Sequence, residues 1–216
     1  MARYALIEVT LIALLGLAAT VLAWWYWEWW AVLPLLLTAA LLAFYRDPPR
    51  RCMIRADAII APADGTIMSV EANVAGRQGE AKEVLRICIF LSVLNVHINR
   101  SPCSGEVREV RYHPGKYLNA LSSEATVQNE ANELILMPDS PLPGPIVVRQ
   151  IAGLLARRIV CAAKVGERLT CGERFGMIKL GSQTQVSVPN DGQWRVLVKV
   201  GDAVRGGLTI LAERNS

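Results

Sequence analysis

MIKLGSQTQVSVP, residues 177 to 189, reads as two short strands broken at Gly181-Ser182. Met177 to Leu180 and Gln185 to Val188 carry the apolar and β-branched residues of buried strands, and Pro189 closes the second. A Gly-Ser bond between two strands sets an unhindered carbonyl beside a hydroxyl. It is a plain turn in the common case and a reactive pair in the rarer one.

The same strand-like texture continues in both directions. Thr66 to Val70, Leu85 to Val93, Val107 to Tyr112, Leu134 to Met137, Ile146 to Ile151, Ile159 to Ala163, Trp194 to Val200 and Leu208 to Ala212 are further short candidates, mostly separated by glycine and proline. So many strands with little helix between them predict a mainly β (α+β) fold, a barrel-like antiparallel body. The body also repeats itself. Ala163-Lys164-Val165-Gly166-Glu167 and Val198-Lys199-Val200-Gly201-Asp202 each precede a further glycine, and both resemble the turns of lipoyl-type β-hammerheads. Neither copy presents a modifiable lysine at a hairpin tip beside Met, so the repeat points to fold rather than to a carrier function.

Residues 1 to 46 follow another rule. Tyr4 to Ala23 has Glu8 as its only charge, the length and composition of a helix that spans a bilayer. WWYWEWW at 24 to 30 holds five of the six tryptophans, and indole and phenol rings collect at membrane interfaces. Ala31 to Phe44 is apolar again, shorter and interrupted by Pro34. The expectation is a membrane-anchoring helical hairpin over 1–46 and a separate domain over 47–216. The absence of a small-residue cleavage site before the aromatic cluster argues against a signal peptide. Arg3 before the hairpin, and Arg46, Arg50 and Arg51 after it, place both ends and the domain on the cytoplasmic side of the cell membrane.

Charge and cysteine agree with that placement. The chain carries 23 Lys+Arg against 19 Asp+Glu, and the excess lies after the apolar segment, which favours an anionic bilayer surface. Five cysteines without a CxxC read as reduced structural thiols. Two histidines, His97 and His113, are too few for a zinc site, so no metal is expected. Phosphate-loop, dinucleotide and HExxH motifs are missing, and no nucleic-acid partner is expected.

What remains is acid, base and hydroxyl. Asp64 lies in Ala61-Pro62-Ala63-Asp64-Gly65, His97 in Leu94-Asn95-Val96-His97-Ile98-Asn99-Arg100-Ser101-Pro102, and Ser182 follows Gly181. Singly, each has a bland account: a turn aspartate, a hydrogen-bonded histidine after a strand, a turn serine. In combination they form a constellation of nucleophile, base and acid.

APADG at 61 to 65, FLSVLNVHINRSP at 90 to 102, HPGKY at 113 to 117, Asn129-Glu130 and RFGMIKLGS at 174 to 182 follow one another as they do in phosphatidylserine decarboxylases. The resemblance covers roughly 47 to 216 and is strongest to the short prokaryotic branch that includes archaetidylserine decarboxylases. It implies self-cleavage between Gly181 and Ser182, conversion of Ser182 to a pyruvoyl group, and a large chain 1–181 that stays with a small chain 182–216. It further implies that the pyruvoyl decarboxylates phosphatidylserine to phosphatidylethanolamine through a Schiff base, with no separate cofactor. Ser182 is then the nucleophile, His97 the base and Asp64 the orienting acid, with Arg100 and Asn95 as candidates for the headgroup. Gln183 replaces the usual Thr after the scissile serine. The partners expected are a phospholipid and the membrane, with a homodimer kept open. An ether-lipid archaetidylserine substrate, a serine hydrolase and a membrane-tethered hammerhead adaptor without catalysis are the competing readings.

Overall fold

A computed structural model of the chain describes residues 2–52, 55–122, 124–154, 158–179 and 181–215. They divide into two units, Met1–Pro49 and Arg50–Ser216.

In the first unit, α1 (Leu6–Trp27) passes through a 3-10 turn, Glu28–Ala31, into α2 (Val32–Phe44). No residue of either helix is buried, because leucine, valine and tryptophan point outward on every side. The helices meet through small residues: Gly16 lies so close to Thr38 that an added Cβ would sit 2.1 Å from its Oγ1. Thr20 and Thr38 return their hydroxyl protons to the carbonyls one turn back, Gly16 O at 2.7 Å and Pro34 O at 2.6 Å. Pro34 is tolerated because the first turn of a helix has no use for its missing N–H. The apolar run, Leu6–Phe44, is long enough to cross a membrane.

The second unit is mainly β. Its strands are β1 (Ala58–Ile60), β2 (Gly65–Ala75), β3 (Glu83–Leu91), β4 (Ile98–Arg100), β5 (Gly105–His113), β6 (Ala131–Pro138), β7 (Ile146–Ile151), β8 (Ile159–Cys161), β9 (Arg168–Leu169), β10 (Arg174–Ile178), β11 (Ser182–Pro189), β12 (Trp194–Val196), β13 (Ala203–Val204) and β14 (Ile210–Arg214). Eight form one antiparallel sheet in the order β13-β2-β3-β11-β7-β6-β5-β9, curled into a half-barrel, and two smaller sheets run β1-β14-β12 and β4-β10-β8.

That large-sheet order is a palindrome of equivalent strands. β13 pairs with the start of β2 (Val204 opposite Gly65) as β9 pairs with the start of β5 (Leu169 opposite Gly105). β2 and β3 form one hairpin, β5 and β6 the other, and β11 and β7 meet in the middle. The small sheets match in the same way. Backbone bonds repeat across the halves: Ile67 N to Asp202 O at 2.9 Å and Gly201 N to Ile67 O at 2.9 Å correspond to Val107 N to Glu167 O and Gly166 N to Val107 O, each 2.8 Å. The two K-V-G-acid segments thus take the same turn. At the turn entering β2, a Cβ on Gly65 would stand 2.1 Å from Phe90 O; at the turn entering β5, one on Gly105 would stand 2.4 Å from Met137 O. Only glycine fits either approach.

The halves differ in continuity. In the second, β6 runs into β7 through the loop 139–145. In the first, the chain leaves β3 at Leu91, builds the whole second half, and returns to lay down β11 from Ser182. One half is inserted into the other, and Gly181-Ser182 is the return point.

Alternation in the strands makes the core. Leu85, Ile87, Ile89, Val107, Leu134, Leu136, Ile146, Val148, Val186 and Val188 fill the space against Phe175, Leu169 and Leu211. Each fully buried aliphatic side chain contributes about 1.5–3 kcal/mol relative to exposure. On β11 the intervening residues, Gln183, Gln185 and Ser187, face the other side of the sheet and are buried too. The strand expected over Met177 to Leu180 begins earlier, at Arg174, because β10 is held on both edges by β4 and β8; Leu180 lies outside the described residues.

Candidate active site

Ser182 is fully buried at the first position of β11, opposite Leu91 of β3. Its hydroxyl has no hydrogen-bond partner among the described residues, which is unusual for a buried donor and leaves the oxygen uncommitted. Gly181 takes φ +58°, a region costly for other residues, and its Cβ position is open space. The carbonyl of Gly181 packs on Gly153, where a Cβ would come within 1.8 Å of the oxygen. The Gly181 carbonyl is therefore held in place, and the approach to it is uncluttered.

The segment 91–99 clasps the bond from both sides. Before it, Ile178 N donates to His97 O at 3.1 Å; after it, Asn99 Nδ2 donates to Thr184 Oγ1 at 3.1 Å. Asn99 is the centre of a buried relay, with Gln150 Nε2 donating to Asn99 Oδ1 at 2.9 Å and Asn132 Nδ2 to Gln150 Oε1 at 3.1 Å. A satisfied buried network of this kind fixes strand register beside the serine.

His97 is fully buried, and its Nδ1 stands 2.9 Å from Asn95 O. A carbonyl can only accept, so Nδ1 carries the proton and Nε2 is the basic nitrogen in the neutral ring. Asn95 spends its side chain locally: Oδ1 accepts from Ser92 N at 2.8 Å and Ser92 Oγ at 2.7 Å, shaping the turn that delivers His97.

Asp64 is buried, and its carboxylate is held by Arg50 and by Gly206 N at 2.8 Å. Arg50 grips both carboxylate oxygens, Nη2 reaching Oδ2 at 2.8 Å, and adds a bond from Nη1 to Gly206 O at 2.6 Å. Sequence reasoning paired Asp64 with His97; in the structure the Nδ1 proton goes to Asn95 O and the carboxylate to Arg50. The turn carrying Asp64 nevertheless adjoins the site, since Pro62 O accepts from Arg100 N at 2.8 Å and Gly65 packs on Phe90, one residue from Leu91. Arg100 is buried, with Nη1 donating to Gly172 O at 3.0 Å.

The sequence missed Arg50, for which no signal existed beyond a basic linker. It also missed the Asn99-Gln150-Asn132 relay, whose trace was a polar residue within each otherwise apolar run. Asn129, flagged by motif alone, ties the 117–128 segment: Nδ2 donates to Leu118 O at 2.9 Å and Ala152 O at 2.8 Å, while Oδ1 accepts from Leu118 N at 2.8 Å. Tyr117 donates to Glu130. Among the described residues no group of three His, Cys, Asp or Glu side chains is placed to hold a metal.

The family model described as phosphatidylserine decarboxylase matches residues 37–212. A phosphatidylserine decarboxylase proenzyme of Rhodopirellula baltica is 43% identical over 215 residues, covering 97% of this chain and 86% of that protein. One of Ralstonia nicotianae is 42% identical, covering 88% of this chain and 83% of its own length, and one of Gluconobacter oxydans is 46% identical, covering 82% and 77%.

Proposed function

The chain belongs to the phosphatidylserine decarboxylase family, and from that membership we propose that it is made as a proenzyme, cuts itself between Gly181 and Ser182, and decarboxylates phosphatidylserine to phosphatidylethanolamine. The observation that carries the site assignment is the buried Ser182 hydroxyl, uncommitted among the described residues, next to a glycine carbonyl pinned in a left-handed turn.

Ser182 Oγ attacks the Gly181 carbonyl carbon, and His97 Nε2 takes the hydroxyl proton. The amide nitrogen leaves as the amine and an ester replaces the peptide bond. Loss of the Ser182 α-proton then expels the Gly181 carboxylate by β-elimination, and water hydrolyses the resulting enamine, releasing ammonia. The pyruvoyl group so formed at residue 182 supplies a ketone and an electron sink, the task pyridoxal phosphate performs elsewhere. His97, held by Asn95 O, returns a proton to the substrate α-carbon after carbon dioxide leaves. Asp64 acts through Arg50 and the 205–207 turn, keeping a fixed charge next to the clasped strand end. The contacts of Asn95 and Arg100 support positioning roles rather than a grip on the headgroup.

The first unit is a membrane hairpin, with its tryptophans at one interface and the catalytic unit on the cytoplasmic side. Around the cleavage point, Leu94, Leu121 and Leu154 are 82%, 61% and 60% exposed, an apolar rim suited to a lipid surface. The paired K-V-G-acid turns are read as hammerhead-like, a scaffold rather than a carrier.

An intact mass spectrum of freshly purified protein tests the proposal. Two chains meeting at 181/182, the smaller lighter by one ammonia than a peptide beginning with serine, is the expected result, with Ser182→Ala remaining a single inactive chain. An uncut chain that decarboxylates the lipid, or a Ser182→Ala variant that keeps activity, overturns it.

A further inference from the structure

On the face of the sheet opposite the core, Gln183 and Gln185 of β11 floor a cavity of about 330 Å³. Arg77, Arg86, Cys88 and the carboxylate-bearing Glu71 line it from β2, β3 and their connection, and Leu121 and Val127 line it from the 117–128 segment, of which Ser123 lies outside the described residues. That segment is tied to the floor: Gln183 Nε2 donates to Ala120 O, and Thr126 Oγ1 stands 3.3 Å from Gln183 Oε1.

The cations here are not equally matched. Arg86 donates to Glu80 at 2.8 Å and faces Glu71 across the β2–β3 pairing; Arg149 reaches Glu133 at 3.3 Å. Arg77 has no carboxylate within ion-pair distance among the described residues. Its guanidinium donates from Nη1 to the neutral Gln185 Oε1, at 2.8 Å, while its backbone N–H donates to Glu80 Oε2 at 2.7 Å. Burial, and then the charges of Arg149 and Arg86, pull its pKa below the usual arginine value, with Glu80 and Glu133 offsetting part of that, so an added anion at the guanidinium would be favourable. Cys88 adds no competing charge, since burial pushes its thiol up to about 11. A planar guanidinium with free donors at the wall of a cavity otherwise lined largely by apolar surface suits an oxyanion that carries an apolar body.

We propose that this cavity binds the phosphodiester of the lipid headgroup, with Arg77 as its principal ligand. The inference rests on the decarboxylase reading and adds to it where the substrate lies. From residue 182 to Gln185 the strand advances about 10 Å. After cleavage residue 182 is the free start of β11, and a substrate amine joined there would turn round that end from the face of Thr184 to the face of Gln183 and Gln185, carrying its phosphate toward Arg77. The mouth side chains Leu121, Val127 and Met68 would meet the glycerol end. Arg100 and Asn95 are the headgroup candidates from the sequence; Arg100 Nη1 donates to the Gly172 carbonyl, and Arg77 joins them as a ligand.

The test uses the full chain in mixed micelles with a short-chain phosphatidylserine, and inorganic phosphate as competitor. For Arg77→Gln we expect normal self-cleavage, a KM raised about tenfold as one charge-assisted bond is lost, and kcat within about twofold. Inorganic phosphate should compete with substrate in the parent and lose most of that effect in the variant. An unchanged KM overturns the proposal; if phosphate still binds in that case, the cavity is a free-anion site and not the headgroup site. Should Arg77→Gln fail to cleave, Gln185→Glu, which pairs Arg77 internally, must raise KM in the same way or the proposal falls. A parent chain that neither divides nor decarboxylates refutes the activity itself and is told apart by that.

Discussion

Pro62-Ala63-Asp64-Gly65 and Pro102-Cys103-Ser104-Gly105 are one turn built twice. In the first, Asp64 Oδ1 accepts from Gly206 N at 2.8 Å; in the second, Ser104 Oγ accepts from Cys171 N at 3.0 Å. Both cap the turn after a K-V-G-acid segment, and both precede the glycine that lets a strand pass under its neighbour. A hydroxyl suffices for that task, as Ser104 demonstrates. The carboxylate at 64, with an arginine recruited to hold it, exceeds what the turn needs, and the half that carries it also holds β11 and the proposed cleavage point. Symmetry in the backbone thus singles out Asp64 and Arg50 as what distinguishes two otherwise equivalent turns.

Giving the first turn the side chain of the second is the sharpest way to break this contrast. Asp64→Ser should keep the fold, because Ser caps the equivalent turn, yet slow self-cleavage by about a hundredfold, the scale of a lost catalytic acid or base. Time courses of chain division by gel, with thermal melting alongside, would measure both. Normal division in Asp64→Ser would reduce Asp64 to a cap. Arg50→Gln leaves the carboxylate in place but unclamped, and division should slow by roughly tenfold as a buried charged bond is lost. A rate equal to the parent's would show that the clamp is idle.

How far the sequence could see follows the same division. Ile146 to Ile151 was legible to the residue, because a run buried on both faces and bounded by proline admits one reading. The β9 and β13 pairs were not, since two residues carry no period; their pairing comes from the turns before them. Gly181-Ser182 was legible as a motif, whereas its position as the return point of an insertion was not, because that depends on which strands neighbour β11. The clamp of Arg50 on Asp64 was not legible either, because the two lie fourteen positions apart and leave no periodic trace.

Smaller effects complete the contrast. Ser104→Ala should lower stability by about 1 kcal/mol through the lost cap while division proceeds unchanged. A change in cleavage rate would mean that the second turn also serves the site. Cys103, beside Ser104, stands where the first half has Ala63, and burial pushes its thiol up to about 12. It should stay neutral and resist iodoacetamide at pH 8, as should Cys88, without effect on division; rapid labelling of the folded protein would show the second turn to be open.

The insertion of one half within the other has a consequence for molecularity. In the uncut chain β11 reaches its slot between β3 and β7 as part of one molecule, and finding that slot is a first-order event that the proposed cleavage would end. With the bond gone, residues 182 to 216 would be a separate species, held by β11 against β3 and β7, by β13 against β2, by β14 against β1, and by their share of the core. Unfolding then releases two molecules, and recovery depends on their concentration and on an end group that the first folding did not have. The proenzyme would obey a folding equilibrium; its mature form would persist by the slowness of coming apart.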